Sequence, residues 1–138
     1  MSHPRTLTRA LPLAATALAA TLAMTACSGN RAEIDAACAD IQSTISGVDS
    51  AAESIRQDIL VDDIPYQDQH ADELHEHMLD VERLEEVARG ALREDAAERA
   101  DAVNAVLEEL DFGDYDGLEE ALDWTADTHD MILDACGY

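Results

Sequence analysis

The 138-residue chain carries 31 acidic and 8 basic residues, a formal charge of −23, with 47% hydrophobic but only 4% aromatic residues. Its length bounds it to one domain, and its acidity excludes a nucleic-acid binder, whose footprint would be a basic patch. The apolar fraction excludes a wholly disordered acidic tail.

Residues 1–26 read as an export leader. Arg5 and Arg9 form a positive start, and Leu11 to Ala23 follow as an apolar, uncharged run. As a permanent membrane span that run is short, because crossing needs roughly 20 apolar residues. Met24-Thr25-Ala26-Cys27 comes next. It resembles the lipobox of bacterial lipoproteins, in which a small residue precedes a cysteine that receives a diacylglyceryl group before cleavage. The resemblance covers residues 1–27 only, and Met24 stands where the family usually carries Leu. It implies lipidation of Cys27 and a lipid-anchored protein on the extracytoplasmic face of a bacterial cell membrane. The mature chain would keep 112 residues, with 31 acidic and 6 basic side chains and no lysine. Such a surface repels anionic lipid and nucleic acid and attracts cations or basic partner surfaces.

With lipid on Cys27, Cys38 and Cys136 remain as a pair in an oxidising compartment. No Cys-x-x-Cys spacing supports a redox or thiolate-metal site, so a disulfide between them is expected. Residues 27–31 would form a short lipid-anchored tether, reaching roughly 14 Å beyond Cys27 if extended. An acidic helical bundle is expected over 32–138.

Within that bundle, apolar or small residues recur at Ile34, Cys38, Ile41, Ile45, Val48, Ala52, Ile55 and Ile59. Their alternating steps of four and three predict one long helix that passes through Gly47. Val61 to Pro65 predicts a turn, with Asp63 as a cap and Pro65 in the first turn of a second helix. The second stripe runs through Leu74, Met78, Val81, Leu84, Ala88 and Ala91. A third takes in Ala96, Ala100, Val103, Leu107 and Leu110, with Asp95 and Glu98 as its start signal. A loop with Gly113 and Gly117 precedes the last stripe, at Leu118, Leu122, Thr125, His129, Ile132 and Cys136. No strand-type alternation occurs. The expected fold is all-α, an antiparallel four-helix bundle with Cys38 and Cys136 at one pole. Three long helices, with the second and third continuous, satisfy the same cysteines and stay open as the alternative.

The chain has no Gly-x-Ser-x-Gly and no phosphate-cradling glycine loop, and adjacent acids such as Glu85 and Glu86 do not face one another on a helix. No catalytic residue is assigned. His77 and His129 fall on inward stripes, with Glu73 one turn before His77 and His70 on the same stripe. A carboxylate and an imidazole at i, i+4, joined by an imidazole from a second helix, is how bundles build zinc or copper sites. Against that stands the use of inward histidines as hydrogen-bonded packing residues. Trp124 and Met131 border the last stripe and are expected in the core. Tyr66, Phe112 and Tyr115 sit at helix ends, where they would close a pole or, if wet, form a docking patch. The expected function is a non-catalytic, membrane-anchored interaction module with an envelope protein as partner. A zinc- or copper-binding envelope lipoprotein and a structural envelope spacer are the alternatives.

Overall fold

The computed structural model describes the backbone of residues 18–113 and 115–138, and side chains from residue 30 onward apart from His70 and Asp114. The first part of the leader and the side chain of Cys27 therefore lie outside the described residues. The chain forms α1 (Leu18–Ile55), a π-helical turn (Arg56–Val61), α2 (Gln69–Val87), α3 (Ala91–Phe112) and α4 (Leu118–Cys136). No strand occurs among the described residues. Among the described residues the protein is all-helical with four α-helices, consistent with a helical bundle, and the second and third are separate.

α1 continues unbroken through Gly47, as its seam predicts, and its helical course also takes in Ser28 to Arg31. Glu73 of α2 lies against Gly47, with Oε2 only 3.6 Å from where a Cβ would stand. The seam carries on into the π turn, which widens the helix by one residue and still buries Ile59. Asp63 then adopts a left-handed φ of 53°, which ends the helical run.

Helix two begins later than Pro65 suggests. Tyr66 packs under the core, so the chain stays irregular until Asp68, whose carbonyl accepts from the Ala71 amide (3.0 Å). Helix three begins earlier than the Asp95–Glu98 signal suggests. Gly90 takes φ 61° and serves as its N-cap residue, leaving Asp95 inside the helix and Ala91 exposed. Only glycine adopts that conformation without a Cβ clash, so backbone geometry outweighs the side-chain cap here.

The inward residues form two apolar clusters. One gathers Ala37, Ile41, Ile45, Val81, Leu84 and Ile132 with several alanines beside the Cys38–Cys136 disulfide, whose Cα atoms are 5.6 Å apart. The other gathers Val48, Ile55, Leu74, Val103, Leu110 and Leu118, with Tyr66 and Tyr115 packed against it. Near the junction of the two clusters each helix contributes a polar side chain, at the junction itself on α2 and α4 and one turn inside the disulfide-side cluster on α1 and α3.

Candidate functional site

Those polar residues are Thr44 on α1, His77 on α2, Arg99 on α3, and Thr125 and Thr128 on α4. His77 and Arg99 are both 0% exposed. Arg99 Nε donates to His77 Nε2 at 3.1 Å, which leaves the imidazole proton on Nδ1 to be donated to Thr44 Oγ1 at 2.9 Å. The Thr44 hydroxyl can in turn donate to Asp80 Oδ2 (3.3 Å) or to the Asp40 carbonyl (3.2 Å). On the other side, Arg99 Nη1 donates to the Thr125 carbonyl and to Thr128 Oγ1, the latter at 3.0 Å. Thr125 Oγ1 donates back to the Ala102 carbonyl at 3.1 Å. One guanidinium thus joins α2, α3 and α4 directly and α1 through His77.

The electrostatics follow from this burial. Desolvation, then the Arg99 charge and His129, lower the His77 pKa to about 3, so the ring is neutral. Desolvation lowers Arg99 to about 10, opposed by the negative charge of Asp49, and the guanidinium stays protonated at neutral pH. Burial raises the Asp80 carboxyl, partly opposed by the Thr44 hydrogen bond. Arg99 Nη2 is the one buried side-chain polar atom without a hydrogen-bond partner among the described residues. A buried cation held by neutral acceptors is weak as a source of stability. Its attested use is to fix register, because a slipped helix would leave these donors unpaired.

The proposed metal ligands do not converge. Both ring nitrogens of His77 are engaged, so neither offers a lone pair outward. His129 Nδ1 is 3.1 Å from Asp49 Oδ1 on α1. Glu73 is exposed against Gly47, and His75 bonds its own helix at the Ala71 carbonyl (2.9 Å). Among the described residues no three His, Cys, Asp or Glu side chains form a group that could hold a metal ion. The physical reason is Arg99: its guanidinium fills the space beside His77 where a cation would have to sit.

Arg99 was the residue sequence reading missed. It stands three residues after Ala96 and four before Val103, squarely on the α3 seam, so spacing alone could have found it. Trp124 was expected in the core and is instead 38% exposed, because Ala121, Leu122, Thr125 and Thr128 already fill the inward face of α4.

A second feature lies at the pole away from the disulfide. Val61 is 65% and Phe112 78% exposed, with Leu60 and Ile64 also partly bare. Tyr66 and Tyr115, one from each loop, pack against the same apolar cluster; burial, then Asp68, Asp111 and Asp72, with Tyr115 also contributing, raise the Tyr66 phenol pKa. Exposed Asp62, Asp63, Asp68, Asp111 and Asp116 flank these apolar residues along the chain in the two loops. The apolar pole is therefore set in an acidic rim.

Among the described residues no helix is long and apolar enough to cross a membrane. No protein-family model, curated protein or solved structure matches this chain.

Proposed function

We propose that this protein is exported, anchored by lipid at Cys27 on the extracytoplasmic face of a bacterial membrane, and acts there as a non-catalytic interaction module for an envelope protein. The observation that carries this reading is the bare apolar pole of Val61, Ile64 and Phe112 with its acidic rim. Exposed apolar surface rimmed by polar residues marks interaction sites, and the two loops that carry these residues pack through Tyr66 and Tyr115 on one cluster. In the same reading the four helices run antiparallel, up-down-up-down. In support, Asp40 of α1 meets Arg83 of α2 while Gly47 meets Glu73, and Asp49 meets His129 of α4 while Arg56 meets Asp123. That order holds the apolar pole about 35 Å from Cys38, at 1.5 Å per residue along α1, on the side away from the anchor.

The test is a photo-cross-linking amino acid placed at Phe112 or at Glu33, near the anchored end, in native membranes. A discrete protein adduct from Phe112 and none from Glu33 is expected. The same adducts from both positions, or none from either, would end the interaction reading. Cys27→Ser should release the protein from the membrane fraction, and its retention there would end the lipid-anchor reading.

A further inference from the structure

Between the C-terminal half of α3 and the N-terminal half of α4 runs a groove of about 260 Å³, walled by Trp124 with Ala105, Ala121 and Gly117, and edged by Glu108 and Glu120. Trp124 is the only tryptophan in the chain, and the packing of α4 does not require it. Glu108 accepts only from the neutral Asn104 amide (3.0 Å), and Glu109, alongside, accepts from the Gly117 amide (3.1 Å). Among the described residues no basic side chain pairs with Glu108, Glu109 or Glu120. The neighbouring acids on the other face of α4 are treated differently, since Asp123 holds Arg56 at 2.7 Å.

We infer that this groove receives an arginine side chain from a basic segment of a partner protein, an inference that rests on the interaction reading above. A cation over an indole face is attracted by the ring quadrupole, and Trp is the best such ring. The small Ala105 and Ala121 leave room for the aliphatic stem beside Trp124, while the two edge carboxylates meet the guanidinium. A second copy of this chain fits poorly as the donor. Arg99 is buried, Arg56, Arg83 and Arg93 already face carboxylates, and Arg89 bonds its own main chain; the sixth, Arg31, is exposed but lies four residues from Cys27, at the opposite end of α1 from the π turn. Anionic lipid is repelled by the same carboxylates that would hold a cation. Phe112 stands one helical turn beyond Glu108 on α3, so the groove and the exposed phenyl ring are neighbours along that helix.

The experiment titrates the full chain in detergent with a short capped peptide bearing two arginines among leucines and alanines, and with its citrulline twin. Trp124 emission and calorimetry follow the binding. Saturable one-to-one binding that shifts the emission is expected, with the citrulline peptide at least about 10-fold weaker. Trp124→Leu and Glu120→Gln should each weaken the arginine peptide by about 5- to 10-fold, measured by calorimetry, while Glu82→Gln on exposed α2 changes it less than about 2-fold. Equal effects from Glu82→Gln and Glu120→Gln would show diffuse charge attraction and overturn the inference, as would undiminished binding to Trp124→Leu. Free arginine binding as tightly as the peptide would overturn it as well, by making the site one for a small cation. If only Phe112→Ser weakens the peptide, the groove fails while the pole stands. If neither Phe112→Ser nor Trp124→Leu has any effect, both fail.

Discussion

The two halves of the bundle on either side of Arg99 are held together in different ways. The half beside Cys38 packs Ala37, Ala88, Ala96 and Ala100 among a few larger side chains, and its helix ends are joined covalently to Cys136. The other half packs Ile55, Leu74, Val103, Leu110 and Leu118 with two tyrosines, and no disulfide joins its described residues. Alanine buries little apolar area, so the first half gains less from exclusion of water and relies on the staple. The second half gains enough from its leucines and valines to leave Val61 and Phe112 in solvent. The covalent staple sits at one pole, and Leu60, Val61, Ile64 and Phe112 are exposed at the other.

Removing the staple is the strongest way to break that contrast. Its loop spans a sequence separation of 98, and Cys38→Ala with Cys136→Ala should lower stability by about 4 to 5 kcal/mol in the chain-entropy description. The loss should be uneven. Amide exchange should accelerate most around Ile41 and Ile132 and least around Val106 and Leu110, as expected when local opening follows local contact density. Uniform acceleration would mean that the two halves are energetically one.

The polar layer that divides the halves is tested next. His77→Leu leaves the Arg99 Nε donor buried without its acceptor, a loss of about 2 to 4 kcal/mol. Adding Arg99→Met should restore most of it, since an apolar replacement of the whole pair leaves nothing unpaired. A double variant no better than the single one would show that the layer itself supplies stability. Acid provides a gentler version of the same test. His77 titrates at about 3 when folded against 6.5 when free, so the unfolded chain takes up the proton first. The stabilisation from its neutral ring is complete above pH 6.5 and declines, as pH falls toward 3, by up to about 1.4 kcal/mol per unit. Carboxylate protonation is common to wild type and His77→Gln, so the difference between their denaturant midpoints at pH 7 and pH 4.5 isolates the histidine. Identical pH slopes would remove His77 from the account.

How much of this was legible depended on which force governed each position. The apolar seams of α1, α3 and α4 were readable because burial alone selects Ile41, Val48, Val103 and Ile132 at helical spacing. The disulfide was readable because the lipobox resemblance set Cys27 aside and left Cys38 and Cys136 as a pair. The break before α3 was misplaced because Asp95 and Glu98 suit a helix start in any chain, whereas Gly90 matters only through a φ of 61°. Arg99 escaped because charge was taken as a mark of exposure; its burial depends on His77, Thr125 and Thr128, which meet it only once three helices are assembled. The histidines carried a metal-like spacing, yet spacing along α2 cannot reveal that an arginine from α3 occupies the ring nitrogen.

The smallest expected effect sharpens the contrast at the leucine-rich pole, where a turn and not a covalent bond sets the geometry. Gly117 has φ −96°, a value any residue adopts, so its small size and not its backbone freedom is what the turn uses. A Cβ there would stand 2.6 Å from Glu109 Oε1 and 2.9 Å from its Cδ. In Gly117→Ala the carboxylate must therefore swing away and give up its bond to the amide that opens α4, a loss of about 1 kcal/mol. The alanine also narrows the unfolded ensemble, which returns about 0.4 to 1 kcal/mol. Net stability should change by less than about 1 kcal/mol, while Glu109 leaves its place beside Trp124 and alters the emission of that ring. A shifted emission with a nearly unchanged melting temperature would show that Glu109 shapes the groove more than it supports the fold. A large fall in melting temperature with unchanged emission would show the reverse, and would make this turn the counterpart of the disulfide at the opposite pole.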